Sequence, residues 1–112
     1  MIVSNAFDAH GVEPSNISSE DGRSASFTKP VLDDGVTRMG IWIAEPGTFV
    51  HAGNPTGETF VVLEGEATID IDGAGSHELF SGQIINVPAA TASRMTVRST
   101  LRKFAVTRST GN

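Results

Sequence analysis

Glu58-Thr59-Phe60-Val61-Val62-Leu63-Glu64-Gly65-Glu66-Ala67-Thr68-Ile69-Asp70-Ile71-Asp72-Gly73 is the most informative stretch of this sequence. Thr59 to Leu63 is a short run of β-branched and aromatic residues, a composition that favours strands. It ends at Glu64-Gly65-Glu66, which reads as a turn with solvated carboxylates. Ala67 to Ile71 then alternates apolar and polar with period two and stops at Asp72-Gly73, a hairpin signal.

The same texture extends in both directions. Upstream, Arg38 to Ala44 ends at Pro46-Gly47. Downstream, Gln83 to Val87 stops at Pro88, and the runs Met95 to Val97 and Lys103 to Val106 follow. No window of 11 or more residues holds a helical apolar stripe with caps. Many short strands separated by turn residues predict an all-β sandwich or barrel, in which closure removes exposed edges. Residues 1–26 differ, being rich in Ser, Asp, Glu, Asn and Gly. They read as an irregular arm, ordered by packing on the body or on a partner subunit. The barrel domain is assigned to 27–112.

The totals narrow the function classes. A chain of 112 residues is one domain. Its net charge of −5 comes with no basic stripe, which argues against nucleic acid as a partner. Arg94 to Lys103 holds four of the eight basic residues, interleaved with Val97, Leu101 and hydroxyls, and reads as a strand with one wet face. The absence of cysteine excludes disulfide scaffolds, thiol nucleophiles and thiolate zinc sites. No apolar run approaches the roughly 20 residues of a membrane-spanning helix, and Met1 to His10 has no leader-like pattern. The expectation is a cytoplasmic protein with no membrane partner.

Two sets of spacings belong together. Gly47 is followed by His51, Gly53, Glu58 and Gly65; Gly82 is followed by five residues and then Pro88, Ala90 and Ser93. With Gly40-Ile41-Trp42, Glu45-Pro46-Gly47 and the closing Leu101 to Val106, this order resembles the paired motifs of the cupin superfamily. Within it the chain resembles the small cupin_3 group, the ureidoglycine aminohydrolase-like and ethanolamine-utilisation-like cupins, over about residues 38–106. The resemblance implies a single-domain cupin (RmlC-like jelly-roll) β-barrel and a homodimer. It also implies four metal-holding positions, which here fall on His51, Gly53, Glu58 and Ser93. Only His51 and Glu58 keep ligand-type side chains. The group's Gly-Asp before the second motif is Gly82-Gln83, and a tryptophan common after it is Met95.

The residues themselves weigh the same way. A protein-built transition-metal site needs three or four N, O or S donors. His51 and Glu58 supply two, and His77, beside a turn, and His10, in the arm, read as solvent-facing. No cofactor is therefore expected beyond a weakly held divalent ion (Mn, Fe, Ni or Zn) at His51 and Glu58. An inward Glu58 needs a partner, since an unpaired buried charge is costly; His51, Arg94 or a ligand are the candidates. Trp42, His51, Glu58, Phe60, Ser93 and Met95 are the expected lumen and ligand-binding residues. Ser93 has no base at nucleophile spacing, so a hydrolytic triad is not expected. Asp72 to Gly75 lacks the following helix of a phosphate loop and reads as a hairpin.

Three functions stay open at this point. The first is a metal-depleted barrel binding a small polar metabolite. The second is a weakly metal-dependent enzyme of aminohydrolase or epimerase type, with Glu58 and His51 as acid and base. The third is a non-catalytic accessory or dimerisation module.

Overall fold

The computed structural model describes residues 1–108, so the last four residues of the expected barrel domain, 109–112, lie outside the described part. The eight strands are β1 (Glu13–Pro14), β2 (Ser26–Asp33), β3 (Thr37–Ala44), β4 (Gly47–His51), β5 (Glu58–Ile71), β6 (Gly75–Leu79), β7 (Ile84–Val87) and β8 (Ser93–Arg108). No helix occurs among the described residues, and every strand pair is antiparallel.

Two long strands organise the molecule. β5 and β8 run side by side from Glu58↔Thr107 to Ile71↔Ser93. Each changes its other neighbour half-way along. β8 pairs with β3 through Leu101–Arg108 and with β4 through Ser93–Val97. β5 pairs with β7 through Glu58–Val61 and with β6 through Ala67–Ile71. One eight-stranded sheet is thereby folded over on itself, with β2 and β1 extending one half. Phe60, Val62, Ala67, Ile69, Leu79, Met95, Val97 and Leu101 pack between the halves as the core. Burying each of these side chains larger than alanine stabilises by about 1.5–3 kcal/mol.

The crease is where the sequence reading needs correction. Glu64-Gly65-Glu66 is no turn but a bulge inside β5, and the register slips between Val62 and Glu64, Glu64 and Glu66, and Glu66 and Ala67. Such extra residues bend a strand without ending it. Gly65 has φ +95°, and a Cβ there would sit 2.8 Å from the Leu101 Cα, against the Thr100 carbonyl. Only glycine allows that close approach of β5 to β8. The runs Met95–Val97 and Lys103–Val106 likewise join in one strand, β8. Asp72-Gly73 does close a hairpin, with the Ala74 N–H donating to the Ile71 carbonyl at 2.9 Å.

The arm packs on the body: Glu13–Pro14 adds β1 to the edge of β2, and residues 5–8 contact β2 and β8. Lys29, 3% exposed, donates to the Asn5 carbonyl at 2.5 Å and pairs with the Asp8 carboxylate. Arg102 donates to the Ala6 carbonyl at 2.9 Å and lies over the Phe7 ring at 5.3 Å. Farther along, Glu20 pairs with Arg94 at 2.5 Å. The hydrogen bond from Lys29 holds the Asp8 carboxyl below its ordinary value of 3.8, helped by the His10 backbone N–H.

Candidate functional site

Side chains alternate along a strand, and three rungs of the β3–β8 ladder line a cavity of about 430 Å³. They are Arg38↔Thr107, Gly40↔Ala105 and Trp42↔Lys103. The middle rung is small on both strands, which leaves the space. Met39, Leu32 and Met95 add apolar wall, and His51 and Glu58 reach in from β4 and β5. Arg38 and Asp33, mostly exposed and 3.2 Å apart, stand at the rim.

At the inner end lies a charged pair. Lys103 Nζ donates to Glu58 Oε2 at 2.6 Å, with the two side chains 12% and 21% exposed. The ammonium also lies over the Phe60 ring at 4.3 Å and the Trp42 ring at 5.2 Å. Each cation–π contact of this kind contributes about 0.5–2 kcal/mol. Trp42 is braced in turn by an edge-on contact with Phe49, centroids 5.3 Å apart. Its Nε1 is buried and finds no acceptor among the described residues.

Behind the pair is a second, smaller void of about 30 Å³, bordered by His51, Glu58, Phe60, Ser93, Met95 and Lys103 among others. That is room for about two water molecules. His51, Glu58, Met95 and Lys103 border both spaces and form the partition between them. All six residues expected in the lumen therefore border one space or the other, with Trp42 on the outer cavity and Phe60 and Ser93 on the inner void. The partner of Glu58 is neither His51 nor Arg94. Arg94 is on the wet face with Glu20, and Lys103 neutralises the carboxylate.

Lys103 is the residue that sequence reasoning missed, and the signal was present. Met95, Val97, Leu101, Lys103 and Ala105 share one parity of β8, and the first three are buried. Counting all four basic residues of the segment as wet obscured that Arg94, Arg98 and Arg102 have the other parity. His77, exposed on β6, has its Nε2 3.1 Å from the Ala74 carbonyl and takes no part in the cavity.

The four positions that hold metal in the family resembled do not fit a divalent ion here. His51, Glu58 and Ser93 converge on the inner void, as the motif spacing implies. At the fourth, Gly53 has φ +114°, and a Cβ would sit 2.9 Å from the Thr91 nitrogen, so the 88–92 loop fills the place of a ligand side chain. The His51 Nδ1 accepts the Gly53 N–H at 3.2 Å. In a neutral ring that puts the proton on Nε2 and removes its lone pair. No group of three His, Cys, Asp or Glu side chains is poised for a metal among the described residues. The ammonium of Lys103 points at the same carboxylate, and a divalent ion about 4 Å from it would be repelled by roughly 8 kcal/mol at an effective dielectric near 20.

No curated protein matches this sequence closely enough to count as a relative. Among solved structures, the EutQ protein of Clostridium difficile superposes with a TM-score of 0.73 at 21% identity, covering 96% of this chain and 94% of that one. A putative mannose-6-phosphate isomerase from Ralstonia eutropha gives 0.71 at 17% identity, covering 96% and 97%. A putative ethanolamine utilization protein from Salmonella typhimurium gives 0.67 at 15%, covering 79% and 72%. At identities this low the superpositions establish the fold alone, a single-domain cupin jelly roll. The model of the EutQ-like cupin domain matches residues 31–105, from the middle of β2 to near the end of β8. That span takes in β5 with its crease, β8 as far as Ala105 and two of the three cavity rungs whole, and the chain belongs to the EutQ-like cupin domain family.

Proposed function

We propose that this protein binds a small polar metabolite in the barrel cavity, using the Lys103–Glu58 pair as the fixed charge that a metal supplies in other cupins. The observation that carries the reading is the 2.6 Å contact of Lys103 with Glu58 at the inner end of a 430 Å³ cavity. A pair held in an apolar wall is a strong polar address, because charge-assisted hydrogen bonds gain strength away from water. The ammonium suits an acceptor oxygen of the ligand, such as a carboxylate or carbonyl. Glu58 suits a hydroxyl or amine. Arg38 at the rim favours an anionic end, and Met39, Leu32 and Trp42 favour an apolar middle. Homodimerisation belongs to the same proposal.

The test is a set of melting curves with small carboxylates, amines, amides and polyols at millimolar concentration. A ligand present at one hundred times its Kd stabilises by about 2.7 kcal/mol, enough for a clear shift. The same shift is expected to disappear in Gly40→Val, which fills the middle rung without touching the ion pair. No response to any class, or a response that survives Gly40→Val, would sink the proposal.

A further inference from the structure

The disagreement between the motif and its donor set leads further. We infer that Lys103 is a built-in monovalent cation occupying the electrostatic position of the lost metal, so that its ammonium, rather than the shortage of ligands alone, keeps divalent ions out of this barrel.

Three observations meet on this residue. Three of the four positions that hold metal in the family, His51, Glu58 and Ser93, still converge on one inner void, so the geometry of the centre persists although only the first two keep ligand-type side chains. Lys103 borders that void and engages Glu58, the one anionic side chain at its edge. Its position is also fixed from the side, since the rings of Phe60 and Trp42 flank the ammonium at 4.3 and 5.2 Å. A flexible surface lysine has no such cradle. A mostly buried carboxylate needs a counter-charge, and the tethered ammonium supplies it to Glu58 with no dependence on metal supply. The inference concerns the centre itself and stands whether or not a metabolite binds.

The test uses the whole chain and its Lys103→Ala and Lys103→Met variants. Lys103→Ala removes Cγ, Cδ, Cε and Nζ, which together have the shape of propylammonium. Propylammonium chloride is expected to raise the melting temperature of Lys103→Ala, while 1-propanol and sodium chloride do not, and the parent chain shows no such rise. The rise is expected to vanish when Glu58→Gln is added, because the carboxylate then has no charge to neutralise. Independently, Lys103→Met is expected to bind Mn²⁺ or Zn²⁺ at least about tenfold more tightly than the parent in titration calorimetry, a small part of the repulsion relieved. Should Lys103→Ala fail to fold, Lys103→Met carries the metal arm alone. Equal divalent affinity in parent and Lys103→Met, or equal response of Lys103→Ala to propylammonium and 1-propanol, overturns the inference. Neither result bears on whether the outer cavity takes a metabolite.

Discussion

At the scale of single residues, the centre is decided by Lys103 and Glu58. Both are mostly buried, so removing one leaves the other charged and unpaired, whereas removing both leaves no buried charge. Lys103→Met and Glu58→Gln are each expected to destabilise by about 1–3 kcal/mol, toward the lower end because water still reaches the pair. The double variant is expected to lose less than the sum, with a coupling of about 1–2 kcal/mol in urea unfolding. Additive losses would mean that the contact contributes nothing specific. His51, Glu58 and Ser93 were legible in the sequence because their motif spacing is short and local. The ion pair was not, because Glu58 and Lys103 are 45 positions apart and nothing local links them. Only the parity of β8 pointed inward.

At the scale of elements, strand composition was more legible than strand continuity. Period-two alternation at Ala67 to Ile71 and the Asp72-Gly73 stop located β5 and its hairpin. What alternation does not encode is whether a glycine between two runs ends a strand or creases it. Gly65 creases β5 because Thr100 and Leu101 of β8 lie directly against it, a long-range fact. The arm is another element whose place depends on partners far along the chain. Its Lys29–Asp8 contact gives it an acid limit. Asp8 has its carboxyl depressed below 3.8 when folded, so the contact stabilises the arm fully above the ordinary carboxylate value. That contribution is lost as the pH falls below 3.8 through the depressed value, when Asp8 takes up its proton. Hydrogen exchange at residues 5–8 is expected to accelerate on acidification across that range. Asp8→Asn is expected to exchange fast already at neutral pH; if it exchanges like the parent, the contact does not hold the arm.

At the scale of the whole molecule, the fold class was the most legible feature, since strand texture, turn residues and paired motif spacings all pointed one way. Assembly was the least legible. Large apolar side chains remain exposed at Ile84 (74%), Val36 (61%) and Phe80 (55%), with Met1, Ile2 and Val3 at the start of the arm. A second copy would cover such groups, and light scattering is expected to give twice the 11.7 kDa chain mass. A species at the chain mass alone removes the dimer. One property of the molecule needs no added reagent to exploit. The chain holds a single tryptophan and no tyrosine, and that indole stands 5.2 Å from the Lys103 ammonium in the cavity wall. Intrinsic emission excited at the red edge of protein absorbance therefore comes from one spot, beside the charge that any occupant must address. The protein is its own optical sensor for whatever enters the barrel.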